Sequence, residues 1–198
     1  MIFDPKTVLG LIAVFLAFIC YVPYYAGIFR GTIKPHIFTY GIWVILGIVV
    51  FLASWISGGA AGTWSLAVST ILVLGVFLLA FKYGTPDITR FDVVCTVGAV
   101  AAIAAWIYTK DPMIAVILAT IIEILSFLPT FRKTWSDPTS ESALSWSINS
   151  VRHAVTIMAL GSYSITTVLY PAALVILNAL LVLEIKYRTS VNQSGSIG

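Results

Sequence analysis

Residues 113–131 read MIAVILATIIEILSFLPTF. Only Thr120, Glu123, Ser126 and Thr130 interrupt this run with polar side chains. A helix that crosses a bilayer needs about 20 mostly apolar residues. The segment has that length and that composition, so it reads as a membrane span rather than a core helix of a soluble domain. Glu123 is the exception. An ionisable side chain at that depth costs roughly 2.5–3.5 kcal/mol on insertion scales, so it must face protein or water.

Six further segments read the same way: Val8–Ile28, Ile37–Ile56, Trp64–Phe81, Phe91–Tyr108, Ala143–Leu160 and Ile165–Ile185. Each is about 18–21 residues long. Seven spans use about 140 residues at this length, which leaves short connections in a chain of 198. The composition agrees: 60% of residues are hydrophobic, 10% are charged, and the mean hydropathy is +1.02. So few polar side chains cannot cover a water-soluble globule, and disorder needs the opposite balance. A net charge of +3 is too mild to point to nucleic acid; the implied partner is the lipid bilayer. Cys20 and Cys95 both lie in apolar runs, which reads as two small buried residues rather than a disulfide framework. The start lacks the basic region and small-residue cleavage site of a secretory signal, so Val8–Ile28 counts as the first span. The polar stretch from Thr189 is expected to be a disordered tail.

Lysine and arginine set the orientation. With the N-terminus outside, Arg30, Lys34, Lys82, Arg90, Arg132, Lys133, Lys186 and Arg188 fall on the inner side, against Lys6 and Lys110 on the outer side. The positive-inside rule then predicts an outside N-terminus and a cytoplasmic C-terminus.

The chain also repeats itself. Pro23 and Pro129 lie 106 residues apart near the ends of the first and fifth spans. At the same offset Tyr25 matches Phe131, Phe29 matches Trp135, Tyr40 matches Trp146, and Trp43 matches Asn149. The third span of each half ends in an echo, Phe81-Lys82-Tyr83 and Ile185-Lys186-Tyr187, at an offset of 104. The expected fold is an all-α polytopic membrane protein with seven transmembrane helices in a 3+1+3 arrangement. Residues 1–84 form the first three-helix repeat, 85–111 the linker helix, 112–188 the second repeat and 189–198 the tail. An odd linker gives the two triplets the same orientation, a parallel repeat.

The two mid-chain prolines, each followed by a polar loop and a Ser/Thr-plus-aromatic helix start, resemble the PQ-loop and SWEET family of small seven-helix transporters. The second copy carries the likeness best, in FLPTFRKTW (127–135) followed by PTSESALSW (138–146). The strings KPHIFTYGIW (34–43) and FLPTFRKTW are also similar to uncharacterised bacterial inner-membrane proteins. Tyr24 and Thr130 stand where the family has glutamine after proline, and neither Ile37–Ile56 nor Ala143–Leu160 carries the proline usual in the second helix of SWEET triplets. The resemblance implies a bacterial inner-membrane transporter, with a small polar solute, sugar-like or another metabolite, moved by alternating access between the triplets. In this scheme Pro23, Tyr40, Pro129 and Trp146 serve gating, with Tyr40 and Trp146 closing the cytoplasmic side.

Candidate binding residues come from polar groups at membrane depth. Glu123 and Arg152 lie roughly 12–14 Å from the inner boundary at 1.5 Å per residue, on consecutive antiparallel helices, so they are expected to be close. Two readings stand: an ion pair locking two helices, or a pair lining a pocket. Ser145, Asn149, Arg152 and Thr156 make one polar stripe at helical spacing, with His153 beside it. Thr120, Glu123 and Ser126 make a second. Such stripes serve either as glue between helices or as the wall of a wet cavity. The expected substrate-binding set is Trp43, Glu123, Asn149, Arg152 and Asn178. Trp43 supplies an aromatic face and the amides supply hydrogen bonds. Glu123 and His153 are the candidates for proton coupling.

No catalytic motif is present: the chain has no H-E-x-x-H, G-x-S-x-G, C-x-x-C or P-loop, and its two histidines are too unlike in depth for a metal site. No enzymatic activity, cofactor or metal is expected. The competing readings are an accessory or structural subunit of a membrane complex, and a KDEL-receptor-like membrane receptor. A homo-oligomer is left open.

Overall fold

A computed structural model describes residues 4–31, 35, 37–84, 90–136, 138 and 143–195. Of the residues named above, Lys34 and His36 and the side chains of Cys95, Pro129, Arg132 and Lys133 lie outside the described residues. The described residues form an all-helical chain: α1 (Pro5–Phe29), α2 (Ile37–Ile56), a short 3-10 turn (Ala60–Thr63), α3 (Trp64–Tyr83), α4 (Arg90–Thr109), α5 (Pro112–Ser136), α6 (Ala143–Met158) and α7 (Ile165–Gly195). The glycine-rich stretch after α2 contains the 3-10 turn. The segment from Thr189, expected to be disordered, continues α7 to Gly195.

Among the described residues four stretches are long and apolar enough to cross a membrane: Pro5–Phe29, Thr39–Ile56, Ala60–Tyr83 and Ile165–Asn192. Burial points the same way. Large apolar side chains line the outside, such as Phe15, Phe18 and Val22 on α1, Ile71, Leu74 and Leu78 on α3, and Ile176, Leu180 and Leu183 on α7. Polar side chains are inside: Ser65, Thr120, Glu123, Arg152, His153, Thr156 and Asn178 are all buried. A protein surrounded by water shows the reverse arrangement. Apolar outer faces and buried polar contacts between helices are what a bilayer demands, and the chain is a membrane protein.

Packing follows a definite plan. In the first half α3 touches both α1 and α2; in the second α7 touches both α5 and α6. Between the halves α1 meets α6 and α2 meets α5, and α4 leans on α5 and α2. One apolar cluster joins α2, α5 and α7 through Leu46, Val50, Val116, Ala119, Leu174 and Leu181. A smaller one joins α1, α2 and α3 through Ile28, Tyr40, Val73 and Val76. Small residues line the buried side of α1, where Gly10, Ala13 and Ala17 follow helical spacing and let a neighbour approach closely.

One end of the bundle is tied by backbone. Gly161 N–H donates to Gly59 O at 3.1 Å. A Cβ on Gly62 would lie 2.8 Å from the Leu160 nitrogen, so only glycine fits at that crossing. Asp4 caps α1, accepting from Thr7 N–H at 3.2 Å. Lys6 Nζ donates to Leu160 O at 2.7 Å, placing a cation on carbonyls just past the C-terminal end of α6, where the helix dipole favours it.

Candidate functional site

The polar stripe of α6 turns inward and meets α3 and α7. Arg152, 4% exposed, is its centre. Its Nε–H donates to Asn149 Oδ1 at 2.9 Å, and Nη1 donates to Ser69 Oγ at 2.7 Å and Ser65 Oγ at 3.5 Å. Its Nη2 lies 2.6 Å from His153 Nε2. Guanidinium has no acceptor, so Nε2 of His153 must accept and the ring proton sits on Nδ1. That Nδ1 is buried and has no hydrogen-bond partner.

Two relays leave the guanidinium. Asn149 Nδ2 donates to Asn178 Oδ1 at 3.2 Å, and Asn178 Nδ2 donates to Leu174 O at 2.5 Å. Each acceptor fixes the orientation of the amide behind it. In the other direction Thr156 donates to Arg152 O at 2.9 Å. Its hydroxyl therefore accepts from Ser65 Oγ, 2.7 Å away. Arg152, Ser65 and Thr156 form a closed ring of hydrogen bonds between α3 and α6.

Three of the expected binding residues are thus brought together: Asn149, Arg152 and Asn178. Glu123 is placed differently. It is 4% exposed and accepts from Tyr170 on α7 at 3.2 Å. Glu123 and Arg152, expected to be close either directly or through a water, hold separate hydrogen-bond partners. The two sets remain neighbours, because Tyr21 of α1 and Tyr170 each lie within electrostatic reach of both charges. The rest of the α5 stripe turns on itself: Thr120 donates to Val116 O at 2.7 Å and Ser126 to Glu123 O at 2.7 Å.

Trp43 belongs to an aromatic group. Its ring meets Tyr40 edge-on at 5.2 Å between centroids, and Tyr40 meets Tyr24 at 5.8 Å. Its indole Nε1 is buried without a hydrogen-bond partner. The second half has a similar arrangement, with Trp146 edge-on to Phe127 at 5.6 Å and Phe127 beside Phe131. Of the residues assigned to gating, Tyr40 is buried, Trp146 half-buried and Pro23 exposed. Among the described residues no group of three His, Cys, Asp or Glu is placed to hold a metal ion.

Sequence reasoning missed Ser65, Ser69 and Tyr170. The two serines carried a usable signal: they sit one helical turn apart in an apolar run, hence on one face. Tyr170 had none, since a tyrosine near a helix start reads equally well as an interfacial anchor.

Comparison with family models, with curated proteins and with solved structures found no match to this chain.

Proposed function

We propose that this chain is a seven-helix membrane transporter of the PQ-loop and SWEET plan, moving a small polar solute by alternating access. In this reading α1–α3 and α5–α7 are the two units and α4 is the linker. Exchanging α1 with α5, α2 with α6 and α3 with α7 maps three of the observed packing contacts onto three others: α1–α3 onto α5–α7, α2–α3 onto α6–α7, and α1–α6 onto α5–α2. That exchange is expected of a parallel repeat with a pseudo-twofold axis along the membrane normal.

The observation that carries the solute reading is the set of hydrogen bonds from Arg152 of the second unit to Ser65 and Ser69 of the first. It puts a charged and amide-rich cluster at the junction that must open and close. The competing reading, a structural subunit, draws on the self-satisfied hydroxyls of Thr120 and Ser126. The N-terminus is placed outside and the C-terminus in the cytoplasm on the lysine and arginine count.

Uptake into proteoliposomes, with a solute first found by thermal shift, tests the function. Asn149→Ala and Trp43→Ala are expected to abolish uptake while the folded yield stays intact. Unchanged uptake in both variants places the pathway elsewhere. Cysteine labelling at Ser162 and Ser136, in a background lacking the native cysteines, tests orientation. The expected result is outside labelling for the first and inside labelling for the second.

A further inference from the structure

Arg152 is a buried cation whose hydrogen-bond partners are all neutral: an amide oxygen, two serine hydroxyls and an imidazole nitrogen. None is a carboxylate, and the nearby Glu123 is engaged by Tyr170. A charge taken out of water is tolerated when an opposite charge or a full set of hydrogen bonds meets it. Neither condition is complete here. Guanidinium has five N–H donors, and the second hydrogen on Nη2 has no partner among these contacts. The His153 Nδ1–H, in a residue 2% exposed, is a second donor without an acceptor. The neighbourhood therefore offers one positive charge and a surplus of donors.

We infer that Arg152, with Ser69, Asn149 and His153, forms a binding site for a small carboxylate anion. This rests on the transporter reading, since it names the class of solute taken at the same junction. A carboxylate supplies the missing negative charge and an acceptor for the N–H left over on Nη2, and it completes a parallel pair of hydrogen bonds with the planar fork when a serine gives up its place on Nη1. The Ser69 hydroxyl, which accepts from Arg152, can turn its own hydrogen toward an arriving acceptor, because a hydroxyl both donates and accepts. No second cation bonds to this group among the described residues, so the site compensates one negative charge and not the two of a phosphate dianion. The charge also lies within electrostatic reach of Tyr21 and Cys20 on α1, so the anion would sit where α1, α3, α6 and α7 meet.

The test is thermal unfolding of the purified full-length protein at constant chloride, with matched pairs of carboxylates and their amides. The pairs are acetate and acetamide, lactate and lactamide, gluconate and gluconamide; inorganic phosphate and glucose are the controls. At least one carboxylate should raise the unfolding temperature saturably while its amide does not. Arg152→Gln should lose the response, and Ser69→Ala, a milder change that keeps the charge, should raise the half-saturating concentration about tenfold. The inference is overturned if no carboxylate acts, if an amide acts as well as its acid, if phosphate or glucose alone acts, or if Ser69→Ala leaves the response unchanged. The two readings fail separately. A carboxylate that binds but is not carried into vesicles leaves the anion site and removes the transporter. Uptake of glucose without carboxylate binding does the reverse.

Discussion

Helices α2 and α6 hold corresponding places in the packing, each against the third helix of its half and against the first helix of the other, yet their buried faces differ in kind. At the repeat offset Leu46 corresponds to Arg152, Trp43 to Asn149 and Val50 to Thr156. Leu46 is fully buried in the larger apolar cluster, and Arg152 is buried in a polar network. The first and fifth helices repeat the contrast, with Ala17 opposite Glu123, both buried. Leu66 and Tyr170 do the same on the third and seventh, at the second offset. One packing plan thus accepts either an apolar or a polar interior. Burying an ion pair or a charge is often no better for stability than well-packed apolar groups of similar size. Packing therefore gives no reason for the second half to carry Arg152, Glu123 and two asparagines. Binding does.

Exchanging residues at the 106-residue offset is the sharpest way to break this comparison. Leu46→Arg puts a charge into a site built from Val50, Val116 and Leu181 with no polar partner prepared for it. The expected cost is at least about 3–5 kcal/mol, seen as loss of monodisperse protein in detergent. Arg152→Leu makes α6 resemble α2. It leaves Ser65, Ser69, Asn149 and His153 without one contact each, for an expected loss of about 1–3 kcal/mol, and it should fold. Equal damage from the two changes would end the idea that the halves differ by function rather than by packing.

The backbone crossing at the tied end comes next. Gly62→Val would set side-chain atoms against the Leu160 backbone, which cannot move without lifting the Gly161–Gly59 hydrogen bond. Overpacking of this kind costs about 1–3 kcal/mol, measurable as a lower unfolding temperature. A variant as stable as the parent would show that this end opens freely in the resting state.

The sequence made one layer of this molecule readable and hid another. Apolar length marked the four stretches that are long enough to cross a membrane among the described residues, because an apolar run such as that in Pro5–Phe29 has few alternatives. The polar stripe of α6 was legible for the same reason, since Asn149 and Arg152 are costly anywhere except inside the bundle. Which groups those side chains meet was not legible. Periodicity gives a face and a depth, but not the rotation of one helix against another. Glu123 and Arg152 share a depth, so pairing looked natural, but rotation hands Glu123 to Tyr170 and Arg152 to Ser65 and Ser69. The end of α7 was misread for another reason: TSVNQSG carries no apolar pattern, yet it extends a helix already formed, and extension avoids the cost of a new nucleus.

Tyr170→Phe probes the smaller dyad. It removes the hydroxyl that donates to Glu123 and moves position 170 toward its apolar counterpart Leu66. Leaving one buried carboxylate oxygen unsatisfied is expected to cost about 1–3 kcal/mol. Combining it with Arg152→Leu tests whether the two polar sets act separately. Independent sites add within about 0.5 kcal/mol, and that is the expected result for groups with no shared hydrogen bond. A larger coupling would show the pairing of Glu123 with Arg152 that the crossed partner sets argue against.

The smallest effects discriminate glue from site. Thr120 and Thr156 are both buried, both donate to the carbonyl one turn back, and both face a valine at the repeat offset, Val14 and Val50. They differ in one respect: Thr156 also receives Ser65 from α3. A hydroxyl bonded only to its own helix contributes little, since that bond competes with the helix ladder rather than adding a partner. Thr120→Val should therefore change stability by less than about 0.5 kcal/mol. Thr156→Val leaves the Ser65 hydroxyl without its acceptor and weakens the ring that holds Arg152, for about 1–2 kcal/mol. Both variants keep nearly the same side-chain shape, so their difference in unfolding temperature isolates the contact between α3 and α6. If Thr120→Val is the more damaging of the two, the α5 stripe meets something in the bundle that its backbone bonds do not reveal, and the centre of the site moves from α6 toward Glu123.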